Sequence, residues 1–592
     1  MLKKLTLSVL ALLMVVNIST ARTPPAKSIK GKGKQSMPNE TAQASNPLTK
    51  EQEKQIDALF SKFDHNNTPG CAVGIIQNGR FIYQKSFGMA DLEHAVPITA
   101  DSKFELGSTS KQFTAACIAL LQLEGKINLD DDVRKYIPEL PDYGNVITIR
   151  HLLHHTSGLR DHVALYFGLA CGMTNDNYLS MEDAVKLVCR QKHLNFKPGE
   201  KHSYSNSGYL LLAEIITRAS GKKYFEYVKE NIFSPLNMLN SSIDEDCRQV
   251  VQNRVSGYIE AGETIYAKAD HNSNDIGAKG VLTTINDLLL WDNNFYSVQA
   301  GGKEFTDLMQ TRGLLDNKEK IDYGYGLFFS NYKNMRVIGH PGGCYGFSAA
   351  YNRYPDQKLS LIILSNVAFN GTVYMVTDQI ADIVLKDKLI EEKATASEMP
   401  SAPNNEPLPV KLTAPELEKF CGHYWSDAGN LNRKIYLKEG SLFYWRAEQS
   451  ESKLIPVSKN ELIMEGQPIE VKLVFDLEHQ PKTVSILQNG TCTSVLKSYE
   501  PVVYTVKDLN EFAGNYYSQE LDVVYKVKVE SGKLVLFLRD RRIAELKVLV
   551  QNIFNIVEWD TNLKFYLDKK HTITGFKLEQ GEIKNIDFVK QQ

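Results

Sequence analysis

The sequence predicts an α+β fold, an antiparallel sheet flanked by helices with a helical subdomain, followed by two small all-β barrels. Three observations carry this. Between residues 49 and 389, apolar residues recur now at helical spacing and now in short strand-like runs. Residues 391–409, rich in Pro, Ala, Ser, Glu and Asn, then read as a linker. Beyond it the pattern changes to short alternating strands, and Leu417-Glu418-Lys419-Phe420-Cys421-Gly422-His423-Tyr424 is matched by Leu509-Asn510-Glu511-Phe512-Ala513-Gly514-Asn515-Tyr516.

Taken in order, Lys3 and Lys4 precede an apolar run over 5–16, and Ser19-Thr20-Ala21 offers the small residues a signal peptidase reads. Residues 1–21 are therefore expected to be an export signal, and the protein periplasmic or secreted. The run is too short to span a bilayer, and no other segment is long and apolar enough. Residues 22–48 lack apolar periodicity and read as a disordered tether. A helix begins after Thr49, with Gln52 completing a capping box and Ile56, Leu59, Phe60 and Phe63 on one face. A hairpin follows, 72–77 against 81–87 across Asn78-Gly79. An amphipathic helix is expected over 112–123, stopped at Gly125. Further helices are expected over 209–219, 286–295 and 371–389, and strands over 335–339, 347–354 and 359–365. The division is 49–389 for the α+β domain, 390–411 for the linker, and 412–500 and 501–592 for the barrels. In the repeats, Glu439-Gly440 corresponds to Ser531-Gly532 and Asn489-Gly490 to Gln580-Gly581, all turn dipeptides.

A net charge of −2, with no basic stripe beyond residues 27–34, gives no sign of a nucleic-acid partner. Eight cysteines show no regular framework, so buried free thiols are expected, with Cys171 and Cys189 the most plausible pair by proximity. His151, His154 and His155 lack a carboxylate or cysteine at ligand spacing and read as structural. No metal and no cofactor is expected.

Chemistry centres on Ser108-Thr109-Ser110-Lys111. Ser-x-x-Lys occurs five times, starting at Ser108, Ser220, Ser330, Ser450 and Ser494, so the spacing alone selects none of them. Only Ser108 precedes a long apolar-periodic helix. There, hydroxyl and amine share a face, and the helix N-terminus favours an oxyanion while disfavouring a charged lysine. Bringing a lysine from about 10.4 down to about 7 takes on the order of 4 kcal/mol, which burial and nearby positive charge supply. Two further sites join it. Tyr204-Ser205-Asn206 places a phenol and an amide two residues apart, so that in an extended segment both project to one side. His340-Pro341-Gly342 is the only His-x-Gly in the chain.

In this order the three motifs resemble those of serine β-lactamases and penicillin-binding proteins, particularly the class C-like branch. The resemblance covers about residues 49–389 and includes Leu152-Leu153-His154-His155-Thr156-Ser157-Gly158-Leu159, Lys197-Pro198-Gly199 and Tyr323-Gly324-Tyr325-Gly326. The Phe-x-Gly-x-Tyr openings of the repeats resemble lipocalin-like domains appended to some secreted hydrolases. The likeness implies that Ser108 attacks a carbonyl and forms an acyl-enzyme, with Lys111 or Tyr204 as the base and Asn206 orienting Lys111 and the substrate. It implies an oxyanion hole from the N–H groups of Ser108 and Gly343, with Gly342 giving the turn on an edge strand. The chain departs from the family's Lys-Thr-Gly: His340 and Pro341 stand where a lysine and a threonine would grip a carboxylate. Family members with His-x-Gly look like D-aminopeptidases and esterases. The expectation is a peptidase, amidase or esterase acting on a small-molecule or peptide substrate. A D-Ala-D-Ala carboxypeptidase or β-lactamase-like activity is the close rival. A binding or scaffolding protein with an idle hydrolase domain is the reading from another class.

Overall fold

The computed structural model describes residues 47–592, apart from 171–177, 263–264, 270–272, 368–372, 387–408, 427–430, 448–449, 468 and 557–560. The expected export signal, most of the tether and linker, and Cys171 with its pairing to Cys189 lie outside the described residues.

A seven-stranded antiparallel sheet forms the centre, in the spatial order Tyr323–Gly324, Leu327–Tyr332, Met335–Cys344, Phe347–Tyr354, Leu359–Ser365, Cys71–Gln77 and Arg80–Phe87. The N-terminal hairpin is thus joined to the last strand, with Cys71 opposite Ser365 and Gln77 opposite Leu359. Asn78 and Gly79 both take positive φ, as a tight two-residue hairpin turn requires. The inner strands are apolar almost throughout because both faces are covered. Cys71, Val73 and Ile75 face a layer built on the helices Lys50–Leu59 and Val373–Val384. Ala72 and Ile76 face the larger layer containing the helices Lys111–Leu123, Asn206–Ser220 and Ile285–Ser297. The first helix starts at Thr49 with both capping-box bonds present.

The helix expected to be amphipathic, now Lys111–Leu123, is buried on nearly every side. Its polar positions are absorbed by partners: Trp291 Nε1 donates to Gln112 Oε1 at 2.6 Å, and Thr114 donates to Gly277 O at 2.7 Å. The sequence shows the apolar period but not these compensating bonds, which let a central helix carry polar residues.

Each repeat is a closed eight-stranded antiparallel barrel whose first strand pairs with its last. The matched openings fold alike: a capped short helix, Ala414–Glu418 or Val506–Phe512, leads into a strand whose tyrosine donates back to the phenylalanine carbonyl four residues earlier. The distances are 2.8 Å for Tyr424 to Phe420 and 2.7 Å for Tyr516 to Phe512. Tyr424 is core, whereas Trp445 lies outside in a groove with Tyr436 and Tyr499. The second barrel is filled by its own rings, among them Phe554, Phe565, Phe576 and Phe588.

Candidate active site

Ser108 sits on a 3₁₀ turn, Gly107–Ser110, that runs directly into the Lys111 helix. No side chain caps this turn. Instead buried Glu105 accepts the N–H of Gly107 at 3.1 Å and of Gly280 at 2.8 Å, tying the nucleophile turn to the loop that follows it in space. Gly107 has φ +53°, and a Cβ there would lie 2.6 Å from the nitrogen of Gly343. The two backbones are pressed together, and Ser108 and Gly343 line the same cavity.

Lys111 is fully buried, and its Nζ has three partners: Ser108 Oγ at 3.1 Å, Asn206 Oδ1 at 2.8 Å and Ala278 O at 2.9 Å. Burial pushes its ammonium down from the ordinary 10.5 to about 7, against the opposite pull of Asp161, Asp275 and Cys344. A carbonyl oxygen and an amide oxygen can only accept. The two hydrogens of a neutral amine therefore point at Ala278 and Asn206, and its lone pair is left facing the Ser108 hydroxyl.

The orientation of Asn206 is fixed by Asp161, whose Oδ2 accepts from Asn206 Nδ2 at 2.9 Å and from Asn206 N at 2.5 Å. Asn206 is the first residue of the helix Asn206–Ser220, with Ser205 preceding it as cap. Ser205, between Tyr204 and Asn206, is extended, and both flanking side chains reach Lys111 Nζ; the helix expected from residue 209 starts three residues earlier, at Asn206, where Asp161 serves its N-terminus. Asp161 was not foreseen; its only signal is its place just after the Thr156-Ser157-Gly158-Leu159 stretch.

Tyr204 lays its ring 4.8 Å from Lys111 Nζ and packs 4.3 Å from the ring of His155, whose Nδ1 accepts the N–H of Ser205. His155 is thus a shelf for the tyrosine loop. His151 returns to cap its own helix at Thr148, and His154 packs against Tyr325.

His340 lies on the strand Met335–Cys344, which pairs on one side through Met335–Gly339 only. From His340 onward that side has no strand partner among the described residues, while the other side pairs through to Cys344. The strand is interior at its start and an edge at its end, which is how Pro341 is accommodated. The His340 ring is buried between Tyr323 and Phe328 and receives Tyr323 Oη at Nε2, 3.2 Å away. Burial lowers it to about 3, so it is neutral. Gly342 is packed so tightly that a Cβ would lie 1.8 Å from Leu106 O, whereas a Cβ on Gly343 would meet nothing nearer than 3.9 Å.

Beside Ser108 opens a cavity of about 340 Å³ lined by Ser108, Asn206 and Gly343, by the apolar Val163, Phe167 and Ala278, and by Tyr345, Cys344, Asp275 and Lys279. The last two form a buried pair at 2.9 Å, and His162 Nε2 holds the other Asp275 oxygen at 3.0 Å. Burial opposes both charges, yet each partner sustains the other: Asp275 stays well below the usual carboxylate range and Lys279 above the usual amine range. The structure therefore brings Ser108, Lys111, Tyr204, Asn206 and Gly343 round one cleft, with Gly342 behind it as a spacer and His340 shut beneath.

A family model described as Beta-lactamase matches residues 56–385. The chain is 27% identical over 456 residues to penicillin-binding protein 4* of Bacillus subtilis (strain 168), covering 74% of this chain and 97% of that protein. It is 28% identical over 320 residues to a D-aminopeptidase of Brucella anthropi, covering 54% of this chain and 59% of that enzyme's length. Among solved structures, the octameric penicillin-binding protein homologue from Pyrococcus abyssi shares the fold, with TM-score 0.51 and 23% identity over 75% of this chain and 99% of that one. With the match spanning more than half of its length, this chain belongs to the beta-lactamase family and is a serine hydrolase.

Proposed function

We propose that the protein hydrolyses amides or esters through an acyl-enzyme on Ser108, with an aminoacyl group of apolar side chain, D-configured as in the D-aminopeptidase relative, as the acyl donor. One observation carries the reading: a buried lysine held near pH 7 whose only undirected valence faces the Ser108 hydroxyl at 3.1 Å. Lys111 takes the serine proton as Oγ adds to the carbonyl carbon. The resulting oxyanion is met by the N–H groups of Ser108 and Gly343. Collapse expels the amine or alcohol, which leaves with a proton from Lys111 or Tyr204, and water repeats the sequence on the acyl-enzyme. The apolar walls at Val163, Phe167 and Ala278 suit an acyl side chain.

Carboxypeptidase and efficient β-lactamase activity are disfavoured by the burial of neutral His340 and by the pairing of Lys279 with Asp275, which leave the pocket no uncompensated cation for a carboxylate among the described residues. Action outside the cytoplasm is supported by the Lys3, Lys4 and 5–16 pattern. The test is covalent labelling by a fluorophosphonate and by penicillin with Ser108→Ala as control, followed by turnover of D- and L-aminoacyl p-nitroanilides and a cephalosporin. Serine-dependent labelling with D-phenylalanyl turnover is expected. Failure to label sinks the hydrolase reading, and rapid cephalosporin turnover dependent on Ser108 overturns the substrate class.

A further inference from the structure

One short segment of the hydrolase domain belongs to two cores at once. Residues Ala164–Ala170 form a π-helical turn. Leu165, Leu169 and Ala170 are buried in the hydrophobic core of the second barrel. Val163 and Phe167, two residues out of phase with the leucines and so on the opposite side of the turn, line the cavity beside Ser108. The wall of the catalytic pocket is therefore the back of a plug seated in a barrel that begins more than three hundred residues later in the chain.

The barrel grips this segment at both ends. At its far end, the Tyr525 hydroxyl donates to Leu169 O at 2.7 Å. At its near end, Arg160 donates to Glu520 Oε2 at 2.6 Å and to Lys584 O, with both charged side chains essentially without exposure. Glu520 also accepts the N–H of Lys192 at 2.8 Å, and its own carbonyl accepts from Gln191 Nε2 at 3.1 Å. The residue after Arg160 is Asp161. Its Oδ1 accepts the N–H groups of Val163 and Ala164, starting the plug, while its Oδ2 holds Asn206, which in turn holds Lys111. A series of buried and part-buried polar contacts thus runs from Glu520 to the nucleophile's lysine. Only one step of it, from Arg160 to Asp161, is a covalent neighbour.

Resting on the acyl-transfer reading above, we propose that the second barrel is a working part of the acyl pocket, with Glu520 and Tyr525 as positioning residues and Phe167 as a specificity-determining one. The barrel holds the 160–170 segment so that Phe167 and Val163 close the pocket around an apolar acyl side chain and Asp161 keeps Asn206 turned toward Lys111. A merely stabilising domain needs neither buried contact to coincide with the pocket wall.

The experiment uses the full chain, with Glu520→Gln, Tyr525→Phe and Leu169→Ala compared with Phe554→Leu. Phe554 packs on Phe512, in the α-helical cap of the same barrel, and on Tyr504 just before that helix. That cap meets the turn beyond the far end of the strand Val523–Glu530, which carries Tyr525 near its start, since Val506 lies against Gly532. Two readouts are taken: kcat and KM for D-phenylalanyl and D-alanyl p-nitroanilides, and hydrogen exchange of the backbone over residues 160–170 and 204–210. Expected are a roughly tenfold fall in the phenylalanyl-to-alanyl kcat/KM ratio for Leu169→Ala and a five- to tenfold fall in kcat for Glu520→Gln. Tyr525→Phe, the mildest change, should give a smaller fall in the same ratio. All three should lose exchange protection over both segments, while Phe554→Leu lowers the melting temperature but leaves the ratio and the exchange unchanged. If the three variants behave as Phe554→Leu does, the proposal is overturned. Should the wild type turn over neither substrate, the acyl-transfer reading fails on that result, and hydrogen exchange still decides whether the barrel holds the segment.

Discussion

Replacing Lys111 with methionine should abolish activity and yet stabilise the protein, by an amount that changes sign with pH. In the folded chain burial brings the lysine down to about 7 from an ordinary 10.5, so between those values the unfolded chain binds more protons. Wild-type stability therefore climbs from pH 7 to pH 10.5 and is lowest, as far as this group is concerned, below pH 7, where both states are protonated. The cost of housing the lysine is about 5 kcal/mol well below pH 7, about 4 kcal/mol at pH 7 and close to zero above 10.5. Methionine keeps the apolar stem and removes that cost. It also strands Ala278 O and Asn206 Oδ1, at about 1 kcal/mol each. The net gain is about 3 kcal/mol at pH 5.5 and about 2 kcal/mol at pH 7. It vanishes near about pH 9 and becomes a loss at higher pH. Paired thermal melts of wild type and Lys111→Met at pH 5.5, 7, 9 and 10 read the effect, and serine labelling should fall on the order of 10³-fold. A difference that does not vary with pH, or a variant less stable at every pH, would show that the amine is not held by desolvation and would remove the basis for its role as base.

Other outcomes follow from the same geometry. The rate of Ser108 labelling in wild type should rise with pH through about 7, falling about tenfold per pH unit below it, because only the neutral amine accepts the proton. Gly342→Ala should destabilise the protein by 2 kcal/mol or more, on the order of an overpacked core, because its Cβ would collide with Leu106 O. Gly343→Ala should melt within a degree or two of wild type and be tested by turnover. His340→Lys should lower the melting temperature without creating affinity for substrate carboxylates, since position 340 faces Tyr323 and Phe328 rather than the cavity; a gain in cephalosporin turnover would refute this. Asp161→Asn should cut kcat about tenfold with little change in KM, read by steady-state kinetics, by loosening Asn206.

Much of the architecture was legible because it rests on local signals. The capping box at Thr49, the Asn78-Gly79 turn and the repeated Phe-x-Gly-x-Tyr each determine structure within a few residues, and all three appear as read. Of the residues named from the three motifs, Ser108, Lys111, Tyr204 and Asn206 converge, whereas His340 is shut beneath them. What the sequence concealed was long-range and compensatory. Glu105 as the tie beneath the nucleophile turn, Asp161 as the hand on Asn206, and His155 as the shelf for Tyr204 act through partners 45 to 175 positions away. No periodicity encodes such pairs. The burial of His340 was likewise invisible, because alternation along a strand does not say where its neighbour ends.

The pairing of Cys71 with Ser365 places the first strand of the sheet against the last, nearly three hundred residues later. Such a closure is slow, since the loop entropy must be met before the strand contacts form. Until the strand ending at Ser365 has emerged, the N-terminal hairpin has no partner along Cys71–Gln77, and the strands Met335–Cys344 and Phe347–Tyr354, though paired with each other, are not joined to it. The sheet beneath the catalytic centre is consequently completed late in folding. A chain interrupted between Tyr204 and that strand carries the nucleophile, the lysine and the tyrosine, but lacks the strand that joins the N-terminal hairpin to the rest of the sheet.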